Sequence, residues 1–136
     1  MIISVVRYNS FNEKPIGSVN VLMLQPDLDP YAEKYSKDSL VIENDLLDLA
    51  EKNSKGKIDY FIAPETALPG RGSISERSFE KSVILNNLKS FLSKHPGSVF
   101  ATGISSHKFY TSEANLPKEA YQLNPQLWVE SFNSAV

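Results

Sequence analysis

Residues 59–70 read DYFIAPETALPG: an apolar run from Tyr60 to Ala63 meets Pro64 and then delivers a carboxylate, Glu65. The run is short, aromatic and β-branched, and turn residues bound it on both sides, so it predicts a buried strand over IDYFIAPETAL. A strand apolar on both faces belongs to a parallel or mixed sheet covered by helices. In such sheets ligands bind where loops leave the carboxyl ends of the strands, and Glu65 stands at that position. Pro64 and Pro69 stiffen both approaches, which would fix the direction of the side chain. A carboxylate held against apolar neighbours resists ionisation and gains the proton affinity of a general base. A plainer reading is that Glu65 caps the following turn or pairs with a surface lysine.

Outward from this stretch the pattern alternates strand and helix. Upstream, IISVVRY over 2–8 predicts a strand and VNVLMLQPD over 19–27 a second, more buried one, the two free to pair as a hairpin. Residues 1–18 are then an edge strand and turn leading into a domain over 19–136. Ile42, Leu46, Leu49 and Ala50 recur at helical spacing and predict a helix over about 36–53, stopped by NSKGK. Downstream, Ser73 and Glu76 have the spacing of a capping box. They open a predicted helix whose apolar face is Phe79, Val83, Leu88, Phe91 and Leu92. SVFATGISSHKFY over 98–110 predicts one strand, 111–126 a polar and mobile connection, and WVESFNSAV a last strand that ends without a turn. The order β-β-α-β-α-β-loop-β places the chain in the α/β class, with a parallel or mixed sheet.

Composition narrows the function. The 136 residues are 41% hydrophobic and 22% charged, enough for one core, with a net charge of −2 and no basic cluster. Nothing in that balance points to nucleic acid or to an anionic membrane surface. With no cysteine, disulfides, thiolate metal sites and a thiol nucleophile are excluded within these residues. Two isolated histidines supply no metal-ligand spacing, so no metal or other cofactor is expected. No apolar run reaches the roughly 18 residues of a membrane-spanning helix, and the N-terminus lacks a signal-peptide pattern.

The segments VLMLQPDLDPYAEKY, DYFIAPETALPG, VFATGIS and FNSAV follow one another in an order that resembles the first half of the nitrilase (carbon–nitrogen hydrolase) superfamily. Within it, PETALP and QPDLDPY are similar to the apolipoprotein N-acyltransferase family, and the likeness runs from about Val19 to Val136. The resemblance implies a four-layer α-β-β-α sandwich with a mixed sheet and a Glu-Lys-Cys triad. In that triad the glutamate, matched here by Glu65, is the base that activates the thiol. It also implies a phospholipid acyl donor, a thioester intermediate and an apolipoprotein acceptor. The setting would be the periplasmic face of the bacterial inner membrane, reached through membrane segments outside this chain. The triad lysine and cysteine are absent from these residues. The expectation is therefore the N-terminal portion of the catalytic domain, inactive alone, whose uncovered sheet promotes self-association.

Tyr31 and Tyr35 fall in the loop after the second strand, and could line a substrate path or pack over the sheet edge. His107 follows Ser105-Ser106, but no G-x-S-x-G elbow accompanies it. His95 suits a helix C-terminus, Trp128 a core or strand face, and GRGS at 70–73 a turn and cap rather than an anion site. Two other functions stay open: a soluble carbon–nitrogen hydrolase using Glu65 in the same way, and a non-catalytic α/β module in which PETALPG is a rigid turn.

Overall fold

A computed structural model describes residues 2–11, 16–29, 36–65, 67–68 and 72–136. Three short apolar segments, β1 (Val21–Met23), β2 (Tyr60–Ile62) and β4 (Val99–Ala101), form a parallel sheet in the order β1-β2-β4. Parallel neighbours need crossovers, and the two amphipathic segments supply them. Helix α2 (Ser39–Asn53) joins β1 to β2, and α3 (Val83–Ser93) lies between β2 and β4.

The register aligns Leu22, Phe61 and Phe100 in one row across the sheet. Side chains alternate along a strand, so this row forms one face and its neighbours the other. The row packs beneath the helices. Helix α2 contributes Ile42, Leu46 and Ala50 at intervals of four, and α3 contributes Ile84, Leu88 and Phe91. Phe61, with no exposed surface, meets Phe91 edge-on at 5.0 Å between centroids and stacks on Phe100 at 6.0 Å. Such aromatic pairs add about 0.5–1.5 kcal/mol each beyond the burial of their area. On the opposite face Val21, Met23, Tyr60, Ile62 and Val99 are exposed, Met23 at 79%.

Asp38 caps α2, its side chain accepting from the Leu40 amide at 2.8 Å. The start of α3 differs from the capping-box expectation. Ser73 precedes a strand, β3 (Ile74–Ser75), then comes a 3₁₀ turn over Glu76–Lys81, and the helix begins after Ser82. The Ser82 hydroxyl accepts from the Leu85 amide at 3.1 Å. Pairing of β3 with a strand over Gly103–Tyr110 claims the backbone groups that a helix starting at Ser73 would have used.

A second sheet has the order β3-β5-β7-β6, with β5 (Gly103–Tyr110), β6 (Tyr121–Asn124) and β7 (Leu127–Ala135). β3 runs parallel to β5, whereas β5 and β6 run antiparallel to β7, so this sheet is mixed. The molecule is therefore mixed α/β with two sheets. The single strand expected over 98–110 is two strands that belong to different sheets and part at Thr102. The connection expected over 111–126 ends in β6, whose side chains are all exposed and so carry little apolar signal.

The N-terminal strand and its hairpin do not form: Ile2–Ser10 is a helix, α1, and β1 has β2 as its partner among the described residues. A β-branched run without a strand beside it leaves its amides unpaired, whereas a helix satisfies them within the segment. The Ser10 hydroxyl closes the end of α1 by donating to the Arg7 carbonyl at 3.3 Å.

Two polar features mark the frame. Asp59 accepts from the Asn20 amide at 2.8 Å and pairs with Lys57 at 2.9 Å; these contacts, the Asn20 bond foremost, hold its carboxyl below the usual range. Glu43 has no exposed surface, yet only Oε2 is paired, by the Asn87 amide at 2.8 Å from α3. Among the described residues its Oε1 has no hydrogen-bond partner. Burial raises its proton affinity, and the Asn87 bond opposes this in part.

Candidate functional site

The apolar strand delivers a carboxylate because the chain changes sheets there. Ala63 still belongs to the first sheet, its amide donating to the Ala101 carbonyl at 2.8 Å. Pro64 has no amide to offer, and its carbonyl receives both the Ala67 and the Gly103 amides at 3.3 Å. By Leu68 the backbone has joined the second sheet. The Leu68 amide donates to the Gly103 carbonyl at 3.3 Å, and the Ser105 amide donates to the Leu68 carbonyl at 3.0 Å. Ala67 and Leu68 are buried anchors, and between the two attachments Pro64 and Glu65 are exposed.

Glu65 lines two clefts. One, of about 640 Å³, is walled mainly by Met23, Leu24, Pro26, Leu28, Ile62 and Ala67, with Asp27 held in a left-handed backbone conformation at φ 51°. The other, of about 330 Å³, includes Ile62, Thr102, Asn133, Ser134 and Ala135. Both open at the carboxyl ends of the parallel strands, where an α/β sheet places its ligands. The apolar enclosure expected around the carboxylate is not found among the described residues: Glu65 is exposed. What holds it is Asn133 on β7, whose Nδ2 donates to Glu65 Oε1.

Neither residue type nor spacing marks Asn133 in the sequence. It is 68 positions from Glu65, and only the pairing of β7 with β5 brings the two together. Its one trace in the sequence is the segment FNSAV. Tyr31 and Tyr35 lie outside the described residues, as do Thr66, Pro69, Gly70 and Arg71.

The remaining polar candidates are placed elsewhere. His107 Nδ1 contacts Ser73 Oγ at 2.6 Å, not the adjacent serines, and its ring packs on Phe109 at 4.6 Å. Ser106 instead faces Ser134 at 3.3 Å. His95 follows α3 and packs against both Phe61 and Phe91, with Nε2 3.3 Å from Glu51. Gly72 takes φ 85° and leads into β3, so no helix N-terminus follows the GRGS segment. The Tyr110 hydroxyl donates to Glu130 at 2.6 Å, and that bond, with burial and the charges of Glu130 and Glu76, pushes the phenol up to about 12. It stays protonated at neutral pH. Among the described residues no three acids or histidines cluster to hold a metal, and no helix is long and apolar enough to cross a membrane.

The arrangement is a directed, water-accessible carboxylate on the ridge between two mainly apolar clefts. It can take a proton from a donor seated in either cleft, and since the chain has no cysteine that donor is not a thiol of these residues. No protein-family model, curated protein or solved structure matches this chain.

Proposed function

We propose that this chain is the N-terminal portion of the catalytic domain of an apolipoprotein N-acyltransferase of nitrilase type, with Glu65 as its general base. The observation that carries the reading is Glu65 itself. The PETALP carboxylate stands at the carboxyl end of a parallel sheet, between two clefts, the larger of them mainly apolar. In this reading Glu65 takes the proton of a cysteine thiol supplied by residues outside this chain. The thiolate attacks the ester carbon of a phospholipid, and a lysine, also outside this chain, stabilises the oxyanion. Collapse of the tetrahedral intermediate breaks the ester bond; the leaving alkoxide receives the proton from Glu65 and departs as lysophospholipid. The α-amino group of the lipid-modified N-terminal cysteine then attacks the thioester. Glu65 accepts the amine proton, and thiolate leaves as the amide forms. The reaction belongs at the periplasmic face of the inner membrane, on a domain tethered by segments outside this chain.

The four-layer sandwich belongs to the same proposal, with a second sheet covering the exposed face of β1, β2 and β4. Parallel sheets are covered on both faces in folded domains, which supports it.

The test is acyl-thioester formation by the complete gene product with labelled phospholipid. Glu65→Gln should slow it by about 10²–10⁴-fold while leaving the fold intact. Undiminished acylation would sink the general-base assignment. The 136 residues alone should show no turnover, and turnover by them would overturn the division of the triad proposed here.

A further inference from the structure

We infer that Asn133 is the positioning residue for Glu65, so that β7 carries a second working member of the site; the inference rests on Glu65 acting as the base. Asn133 Nδ2 donates to Glu65 Oε1. Among the described residues Oε2 makes no hydrogen bond, which leaves that oxygen to receive a proton. An amide suits this task. It holds one carboxylate oxygen without bringing a net charge, and it has no acidic proton to compete with the donor.

The backbone around both residues is tied to one short segment. The Pro64 carbonyl, next to Glu65, accepts from the Gly103 amide at 3.3 Å. On the other side, β7 pairs Asn133 with Ser105 and Ala135 with Gly103. Thr102 and Val136 exchange reciprocal backbone bonds at 2.9 and 3.0 Å. Residues 102–105 therefore set the separation of Glu65 from Asn133, and the side-chain bond sets the direction of the carboxylate within it. Both side chains are exposed, so neither needs the other to avoid a buried unpaired group. A surface hydrogen bond of this kind contributes little to stability, and its consequence lies in orientation. Asn133 and Glu65 also line the same smaller cleft, so a donor seated there meets a carboxylate that is already aimed.

The experiment pairs two measurements. In the 136-residue chain, the Asn133 side-chain amide resonance should move with pH as Glu65 titrates, and this movement should vanish in Glu65→Gln. An Asn133 resonance indifferent to Glu65 overturns the contact, whatever the reaction. In the complete gene product, Asn133→Ala should slow thioester formation about 10-fold or more with an unchanged melting temperature. Asn133→Asp, which sets a like charge beside Glu65, should move the acidic limb of the rate–pH profile up by about one unit. If Glu65→Gln is inactive while both Asn133 variants keep the parent rate and profile, positioning fails and the base assignment survives. If Glu65→Gln is fully active, the base assignment fails first. A rate loss in Asn133→Ala that only tracks a lowered melting temperature marks a structural role and overturns the inference.

Discussion

Two glutamates in opposite surroundings show what a single residue can carry here. Glu65 is exposed and held through one oxygen; Glu43 has no exposed surface and, among the described residues, keeps one oxygen unpaired. Desolvation raises the proton affinity of Glu43 in the folded state above its unfolded value. The folded chain then binds that proton more tightly, so its contribution to stability is complete below the usual glutamate range and is lost as pH rises through the raised value. The loss is about 1.4 kcal/mol for each unit between the two values. Glu43→Gln should therefore show a flatter dependence of melting temperature on pH above the usual glutamate range. Parallel pH profiles for the two proteins would contradict this. Glu65 was legible because a carboxylate after a proline at a strand end is a local pattern. Asn133 was not, since nothing in its neighbours along the chain records a partner 68 residues away.

At the scale of elements, local and tertiary preferences compete over who starts α3. Ser73 and Glu76 have the better local pattern, but the backbone there pairs with β5, and Ser82 becomes the cap. Ser82→Ala should cost about 1 kcal/mol of unfolding free energy, within the 0.5–2 kcal/mol usual for N-caps. Ser73→Ala should cost less, because Ser73 is exposed and caps no helix. Chemical denaturation of the two variants decides the order, and a larger loss for Ser73→Ala would return the cap to the capping-box position. The same competition explains α1. Its β-branched residues favour a strand only where another strand can receive their backbone bonds, and in their absence the segment closes its own bonds as a helix. Helix α2 shows agreement instead: its apolar repeat and its Asp38 cap point to one structure, and its observed bounds fall inside the predicted ones.

For the whole molecule, the exposed face of the parallel sheet has the largest consequence. Val21, Met23, Tyr60, Ile62 and Val99 form contiguous apolar surface on strands whose other face is packed under two helices. The 136-residue chain should associate as its concentration rises, and replacing both Met23 and Ile62 with lysine should weaken that association. Both side chains are exposed in the single chain, so the melting temperature of dilute protein should hardly move. Sedimentation velocity reads the result, and association as strong in the double variant would place its seat elsewhere. The sequence by itself determined the α/β class with a parallel or mixed sheet, the two helices between strands and the carboxylate at a strand end. These follow from periodicities and turn residues that act over a few positions. Only the tertiary structure decided that β4 and β5 part at Thr102 into separate sheets, that the chain crosses between sheets at Pro64–Leu68, and that Asn133 holds Glu65. Those features depend on which strand satisfies which backbone groups, and that choice is made between segments far apart in the chain, where local pattern has no reach.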